Sequence, residues 1–484
     1  MTADTSVVEP PVRFGGRERL VLLVLLGAGF MLSVDFSILN VALPEVGAGV
    51  GLGLTGLPWI ASAYALPAAG FTLVFGRVAD LFGRRRMFVI GMVLLVGASL
   101  LGGFAVNPEM LLTARALQGF ATAMTIPATL SLLTTTFAEG GLRERVLGFN
   151  GALLSGGFTV GALVGGTLVG LLSWRAAFFV NVPVAVAILL ATPVLISESK
   201  APGRTRLDLP GAITVSGGLL AVVYAVIERN VAAAVVGVLL LVAFWVIELR
   251  ASAPLAPVHI LKRPTVKWGN YAGFVIFAME PAMIFLTTLY LQQVLDFSPM
   301  ATGLIFGVPG LASVAAGVIA GRVIGRLGGR KVLALGLSVQ GLATVPLIFL
   351  GDDRTALAVL IPALFIGFFG HVSAIVAFTV TATSGLPDEQ QGLATGLTSM
   401  TQQVALTVGI PIMGSVAATR GTGLAGYHLA IGVIVAVTLL TVALTWFGLR
   451  PRDDHDDHDD HHGKAETPMS ARPTTSEQIA EVPS

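Results

Sequence analysis

The sequence contains no cysteine, which excludes disulfides, thiolate metal ligands and a cysteine nucleophile. Charged residues are also scarce, because Asp, Glu, Lys and Arg make up 12% of the chain, whereas soluble domains carry about 25%. A chain of 484 residues with so little charge has too few polar side chains to cover a water-exposed surface. Since 54% of the residues are hydrophobic and the mean hydropathy is +0.84, the composition predicts an integral membrane protein.

Several catalytic and nucleotide-binding motifs are missing as well. The patterns H-E-x-x-H and G-x-S-x-G do not occur, and this argues against an intramembrane enzyme. The P-loop pattern G-x-x-x-x-G-K-[ST] is also absent, so this chain does not supply ATP-driven transport. The net charge of +1 gives no indication of a nucleic-acid partner.

Long apolar stretches dominate what is present. A bilayer core needs about 20 apolar residues as a helix, and fourteen stretches fit this length. All are predicted helices, because backbone in lipid must satisfy its hydrogen bonds internally. The seventh and eighth are the weakest as separate spans, and the first is too long for a cleaved signal peptide. The fourteen are 20–44, 58–79, 87–105, 110–137, 146–172, 176–196, 209–226, 231–247, 268–291, 301–321, 332–350, 357–384, 394–418 and 429–447.

The distribution of lysine and arginine predicts the orientation. Of the 29 basic residues, 24 fall in the N-terminus, in every second loop and in the C-terminal tail, and 4 fall in the other loops. Because cytoplasmic loops carry the excess of Lys and Arg, both termini are predicted to be cytoplasmic. The remaining residue, Arg115, lies inside a span.

One charged stretch occurs twice. GRVADLFGRRRMFVIG at 76–91 returns 245 residues later as GRVIGRLGGRKVLALG at 321–336, each time between two spans. Two six-helix halves related by a repeat are therefore predicted, with space for two further helices between them. The predicted segments are a cytoplasmic N-terminus (1–19), a six-helix bundle (20–196), a linker with two transmembrane helices (197–266), a second six-helix bundle (267–450) and a disordered cytoplasmic tail (451–484).

Three signatures lie at fixed places in the first half. The loop after the second span matches G-x-x-x-D-x-x-G-R-[RK], the fourth span contains R-x-x-Q-G, and the first contains D-x-[ST]-x-x-N-x-A-L-P. With WIASAY (59–64) and WRAAFFVNVP (174–183), they resemble the fourteen-helix drug:proton antiporters of the major facilitator superfamily. The matching residues are Gly76, Asp80, Gly83, Arg84 and Arg85; Arg115, Gln118 and Gly119; and Asp35, Ser37, Asn40, Ala42, Leu43 and Pro44.

The resemblance implies an all-α plasma-membrane protein that exports drug-like or antibiotic compounds in exchange for protons by alternating access. A proton-coupled transporter of one dedicated metabolite is the alternative, and the two-half repeat favours a carrier over a channel. The expected partners are a cationic or lipophilic small molecule, protons and the lipid bilayer, without nucleic acid, for a monomer that needs no cofactor and no metal. The tail DDHDDHDDHH (453–462) is predicted to be a solvated acidic end, with metal binding as the alternative.

Three charged residues fall well inside spans: Asp35, Arg115 and Glu280. A charge inside the bilayer costs roughly 2.5 to 3.5 kcal/mol on insertion scales, so such residues need a partner, a wet cavity or a function. We expect one or both of Asp35 and Glu280 to carry the proton, with Asp35 favoured and with Arg115 acting on Asp35. Glu280 is either a proton site or a site for a cationic substrate. A purely structural Asp35–Arg115 ion pair is the alternative. Because Pro281 follows Glu280, a local break of the helix is expected there.

The resemblance implies that the first copy of the repeated loop forms a conformational latch between the halves. The carboxylate of Asp80 can pair with the loop arginines Arg84 and Arg85 and with a helix N-terminus, and Gly76 and Gly83 permit a close turn. The second copy has Gly325 where the first has Asp80. Topology and loop packing alone would also explain the arginines.

The fifth span carries a row of glycines that lets a neighbouring helix approach closely: Gly157, Gly161, Gly165 and Gly166. It resembles the antiporter signature G-x-x-x-G-P-x-x-G-G, except that Ala162 replaces the proline. His371 is expected to hydrogen-bond a neighbouring helix. Residues proposed to line the substrate cavity, with core or lipid packing as the alternative, are Asn40, Tyr64, Gln118, Phe277 and Gln402.

Overall fold

The structure is a computed structural model that describes residues 15–53, 56–137, 141–200, 208–251, 260, 262–384, 386, 388–421 and 423–450. The side chains of residue 73 and of parts of 141–159 and 388–403 lie outside this set. The helices are α1 Gly16–Val50, α2 Leu57–Phe82, α3 Arg84–Gly103, α4 Pro108–Thr136, α5 Gly141–Leu171, α6 Ala176–Leu195, α7 Leu209–Glu228, α8 Val231–Arg250, α9 Pro264–Leu289, α10 Pro299–Leu327, α11 Gly329–Thr344, α12 Leu357–Thr383, α13 Asp388–Ala418 and α14 Leu424–Gly448.

The predicted all-α class is confirmed, because the described residues form helices joined by short connections and contain no strand. Eleven of the described helices are long and apolar enough to cross a membrane, or twelve if α2, bent by 53° between its two parts, counts as one span. The helices α5 and α13, 31 residues each, include side chains outside the described set. A total of fourteen membrane spans therefore stays a prediction.

Polar residues next to the apolar runs set where several helices begin. The side chain of Asn107 accepts a hydrogen bond from the Met110 amide (2.8 Å) at the start of α4. Asp208 does the same for the Gly211 amide (2.9 Å) at the start of α7. Both helices have proline in their first turn, where the missing N–H costs nothing. Each N-cap therefore places the start of its membrane helix.

The two copies of the repeated loop hold equivalent positions. Arg85, in the first turn of α3, donates to the carbonyl of Ile196 at the end of α6 (3.1 Å). Arg330, in the first turn of α11, donates to the carbonyl of Trp446 near the end of α14 (2.7 Å). In both halves the arginine thus ties the third helix to the last one, and the sequence repeat has a structural counterpart.

The halves α1–α6 and α9–α14 contact each other most extensively along two helix pairs. Between α5 and α10, a Cβ built on Gly166 would lie 2.8 Å from Gly303 Cα. Between α2 and α13, the Thr407 hydroxyl donates to the Ala65 carbonyl (3.0 Å). The α5–α10 contact lies near the C-terminal end of α5 and the N-terminal end of α10. This is the end of the helix bundle opposite to the one where Asp80 lies.

The linker helices α7 and α8 form an antiparallel pair beside α2 and α13. The Ser216 hydroxyl of α7 donates to the Gly70 carbonyl of α2 (3.0 Å). Apolar side chains from α2, α7, α8 and α13 share one cluster, which includes Leu66, Val215, Phe244 and Leu397. The seventh and eighth stretches, the weakest from sequence, are therefore two separate helices packed against both halves.

The expected helix break at Pro281 was wrong. The α9 helix runs without interruption from Pro264 to Leu289, with Pro281 inside it. Proline removes one helical N–H donor, and membrane helices tolerate this when neighbouring helices support them. The irregular turn comes later, as a π-helical segment Tyr290–Val294 in which the Gln292 amide donates to the Val41 carbonyl of α1 (3.0 Å).

Candidate functional site

The first candidate site surrounds Asp35, which has an exposed fraction of 0% at the middle of α1. Its carboxylate accepts hydrogen bonds from Arg115 Nη1 (3.3 Å), from Gln118 Nε2 (3.1 Å) and from the amide of Asn181. The Gln118 amide also donates to the Ser99 hydroxyl (3.1 Å). Helices α1, α3, α4 and α6 thus each contribute one or more polar side chains to a single buried network.

Arg115 is held on several sides. Besides Asp35, its Nη1 donates to Gln118 Oε1 (2.7 Å), and its Nε donates to the Ile60 carbonyl (3.1 Å). The guanidinium carbon lies 4.4 Å from the centroid of the Tyr64 ring, a cation–π distance. A planar group with this many fixed donors matches arginine and not lysine.

The glycine in R-x-x-Q-G has a steric reason. A Cβ built on Gly119 would lie 2.1 Å from the Tyr64 carbonyl oxygen, so only glycine permits the observed crossing of α4 and α2. This crossing brings the Tyr64 hydroxyl to 2.7 Å from the Thr122 hydroxyl. The motif therefore supplies both the polar groups and the space in which they meet.

Two members of the network were missed from sequence, namely Asn181 and Ser99. Asn181 is buried and contacts both Asp35 and the Ser99 hydroxyl (3.4 Å). Its signal was an asparagine flanked by apolar residues in WRAAFFVNVP. Serine is common in membrane helices, so Ser99 had no comparable signal.

The second candidate site lies in the other half, around Glu280 of α9. His371 Nε2 of α12 lies 3.7 Å from Glu280 Oε2, and His371 Nδ1 lies 3.4 Å from Gln340 Oε1 of α11. All three side chains are buried. The hydrogen-bonding partner expected for His371 on a neighbouring helix is Gln340, and Glu280 was not foreseen beside it.

The residues proposed for the substrate cavity have different immediate surroundings. Tyr64 and Gln118 belong to the Asp35 network. Asn40 is buried, and no described residue hydrogen-bonds its Nδ2. Phe277 packs edge-on against Phe378, at a centroid distance of 6.0 Å. Gln402 is half-buried on α13.

The latch residues form a compact turn between α2 and α3. Arg84 donates to Asp80 Oδ1 through Nη2 (2.9 Å) and Nε (3.0 Å). Gly83 has φ +123°, which side-chain-bearing residues rarely adopt. Gly76 lies inside α2, where it faces Pro127 of α4 and not the turn.

A second carboxylate, Glu198, completes this turn and was missed from sequence. It accepts hydrogen bonds from the backbone amides of Arg85 (3.0 Å) and Arg86 (3.2 Å) in the first turn of α3. An anion is stabilised at this end of a helix by the unpaired amides and the helix dipole. Glu198 thus occupies the helix N-terminus that we had expected near Asp80.

The glycines of α5 face two different helices. Gly157, Gly161 and Gly165 face α1, where added Cβ atoms would lie within 2.7 Å of atoms of Ser33, Ser37 and Ile38. Gly166 faces Gly303 of α10 in the other half. The glycine row therefore serves packing within a half and between halves. The His/Asp-rich tail lies outside the described residues, among which no group of three metal-ligating side chains occurs.

A bundle of membrane-length helices in two repeated halves, with a buried charge network in one of them, defines a multi-pass membrane transporter. The family model of the Major Facilitator Superfamily matches residues 25–410, and the chain belongs to this superfamily. The membership expected from the motifs is thereby confirmed.

Similar curated proteins are resistance and export proteins. The chain is 36% identical to a puromycin resistance protein of Streptomyces alboniger, over 88% of this chain and 90% of the relative. It is 35% identical to a cephamycin export protein of Amycolatopsis lactamdurans, over 86% and 89%. It is 32% identical to a multidrug resistance protein of Mycobacterium tuberculosis, over 83% and 76%.

Solved structures with the same fold are also transporters. One is a POT family transporter in complex with a thioalcohol-conjugated peptide, with a TM-score of 0.70 and 13% identity, over 89% of this chain and 96% of that one. Another is a nucleoside transporter, with a TM-score of 0.65 and 10% identity, over 89% and 100%. At these identities the likeness concerns the fold alone.

Proposed function

We propose that this protein is a secondary active transporter that exports drug-like or antibiotic compounds in exchange for protons by alternating access. The observation that carries the proposal is the buried Asp35–Arg115–Gln118 network inside a major facilitator fold. Relatives named for puromycin, cephamycin and multidrug resistance or export support the substrate class.

The coupling is assigned to the charged side chains within the spans, namely Asp35, Arg115 and Glu280. A carrier that exchanges a proton for a substrate needs an acid that the two can occupy in turn. Alternating access then exposes that acid to one side of the membrane at a time, between halves that close and open. The cavity residues Asn40, Phe277 and Gln402 are proposed to line the path.

The proposed setting is the plasma membrane, with a monomer whose N- and C-termini are both cytoplasmic. The excess of arginine in the loop that holds Asp80 and Arg84 supports this orientation. The Asp80 turn is proposed to latch the two halves when the cytoplasmic side is closed. The close α5–α10 contact lies at the end of the bundle opposite to Asp80, which is the external end in this orientation. This contact supports a state in which the external side is closed.

The test is uptake into everted membrane vesicles that contain the protein, with the cationic dye ethidium and with puromycin as probes. We expect either probe to accumulate while a pH gradient stands and to stop when an ionophore collapses it. Vesicles without the protein are the control. Accumulation that ignores the gradient would contradict proton exchange.

The alternative is proton-coupled export of one dedicated metabolite. Relatives named for a single compound favour it, among them the cephamycin exporter and a probable actinorhodin transporter of Streptomyces coelicolor, which is 32% identical. If neither probe accumulates, metabolites synthesised by the cell that expresses this protein would be tested as substrates in the same vesicles.

A further inference from the structure

Asp35 and Glu280, two of the three buried carboxylates among the described residues, have opposite surroundings, and the third, Glu248, lies in the last turn of α8. Asp35 is 0% exposed, and its carboxylate receives N–H donors from Arg115, Gln118 and Asn181. Glu280 is 8% exposed, and no described residue donates a hydrogen bond to it. Its one ion-pair neighbour among the described residues is His371, at 3.7 Å. The Asp35 carboxylate thus has three side-chain N–H donors, whereas the Glu280 carboxylate has no hydrogen-bond donor among the described residues.

We propose that Glu280, His371 and Gln340 form an exchangeable proton site of this carrier, separate from the Asp35–Arg115 pair. This inference rests on the proposed function. It adds a proton site in the second half of the protein, and it gives His371 a role as a positioning residue for the proton on Glu280.

The hydrogen bonding of His371 supports this assignment. Its Nδ1 faces Gln340 Oε1, an acceptor, so the neutral imidazole places its proton on Nδ1. The other nitrogen, Nε2, then presents a lone pair toward the Glu280 carboxylate. Two acceptors do not bond, and Nε2 is buried at 3.7 Å without a hydrogen-bond partner among the described residues.

One added proton completes the pair. It lies between Nε2 and the carboxylate, turns two facing acceptors into a hydrogen bond and removes the net negative charge of the site. Loss of that proton restores an uncompensated anion in the membrane interior, which is unfavourable unless a cation replaces it. A cationic substrate at Glu280 meets this need, so proton and substrate exclude each other.

The helix packing fixes His371 for this task. Helices α11 and α12 cross with their backbones in contact, since a Cβ on Gly370 would lie 2.6 Å from the Gly336 carbonyl oxygen and 2.8 Å from the Gln340 amide. Gly370 directly precedes His371, so the crossing places the imidazole beside Gln340. A ring held this way keeps one nitrogen aimed at Glu280.

No other charged group competes at this level among the described side chains. On the helices packed against α12 and α9, the other described charged or histidine side chains lie toward the helix ends: Arg17, Glu18, Arg19 and Glu45 on α1, Lys267 on α9, Arg322 and Arg326 on α10, Arg330 and Lys331 on α11, and His428 on α14. At about 1.5 Å per helical residue, Lys267 lies about 20 Å along α9 from Glu280. Asp35 on α1 is already paired with Arg115.

The experiment compares His371→Gln with wild type in proteoliposomes, using ethidium and puromycin. The amide N–H of glutamine can donate to the ionised Glu280 carboxylate, so the pair no longer needs the added proton. We expect uptake driven by a pH gradient to fall at least tenfold and to lose its pH dependence. Substrate-for-substrate counterflow, which needs no net proton movement, is expected to stay within twofold of wild type, which also shows that the variant is folded.

The matched control is His428→Gln, because His428 binds the Leu350 carbonyl (2.8 Å) away from Glu280. It should transport as wild type does. The inference is overturned if His371→Gln keeps a wild-type pH profile, if it loses counterflow together with driven uptake, or if a sodium gradient alone drives the wild type. If the wild type shows no proton-driven movement of either probe, the proposed function itself falls and takes this inference with it.

Discussion

Gly166 of α5 and Gly303 of α10 lie in backbone contact across the two halves. A Cβ built on Gly303 would lie 2.9 Å from Gly166 Cα and 2.8 Å from the Ala162 carbonyl oxygen. Side chains here would hold the helices apart, as in other close membrane-helix crossings. The contact is therefore a seam that closes only because both positions lack side chains.

We predict that Gly303→Leu prevents this seam from closing and lowers transport at least tenfold. The chain has no cysteine, so a single Val169→Cys substitution beside the seam reports access to a maleimide without background. Labelling of this cysteine should become faster in the Gly303→Leu variant. Gly317→Leu on the same helix is the control, because a Cβ there meets nothing within 4 Å. Equal labelling in both variants would contradict the prediction.

We predict that Asp35 and Arg115 depend on each other for stability. Removing one partner of a buried ion pair leaves an uncompensated charge and typically costs about 3–5 kcal/mol. Asp35→Asn and Arg115→Gln alone should therefore each lower the unfolding temperature strongly. The double variant should lose less than the sum of the two, which thermal unfolding in detergent measures. Additive losses would show that the two charges do not interact.

We predict that Asp80→Asn slows turnover with little change in substrate affinity. The carboxylate binds Arg84 in the loop between α2 and α3, far from the buried networks, so its loss affects the conformational change and not the binding step. Rates and half-saturation concentrations of driven uptake separate these effects. Asp296→Asn is the control, because Asp296 lies in a loop at φ +53°, a conformation that asparagine also adopts. Unchanged turnover in Asp80→Asn would contradict the proposal that the Asp80 turn is a latch.

We predict that Glu198→Leu destabilises the protein by about 1–2 kcal/mol, the range found for lost N-caps and helix-dipole partners. The amides of Arg85 and Arg86 would lose their acceptor. Glu198→Gln keeps a carbonyl acceptor without the charge and should lose about half as much. Thermal unfolding measures both, and equal losses would assign the effect to packing.

Charged residues in membrane spans could be found from sequence because each is costly and therefore needs a reason. Asp35, Arg115 and Glu280 stood out this way, and the structure pairs the first two at 3.3 Å. A serine hydroxyl in a membrane helix costs much less, because it can donate to a carbonyl of its own helix, so Ser99 went unnoticed. The pairing of Glu280 with His371 depends on where two helices cross, which no local pattern encodes.

The fold could also be predicted from sequence wherever it depends on the local sequence pattern. Apolar length gave the helices, and the repeat gave two halves. The expected break at Pro281 failed, because packing on neighbouring helices overrides the loss of one donor. Glu198 was missed because a carboxylate after a span reads as a loop residue until the helix that it caps is folded beside it.

The Asp35 network also constrains how the protein is made. Asp35 enters the membrane with the first helix, whereas Arg115 follows 80 residues later and Asn181 follows 146 residues later. At synthesis rates of about 5–20 residues per second, the acid waits on the order of ten seconds for its first partner. During that interval the nascent first helix carries an unmatched carboxylate, so in variants of Arg115 and Asn181 insertion of this helix is the first step that lacks its later polar partners.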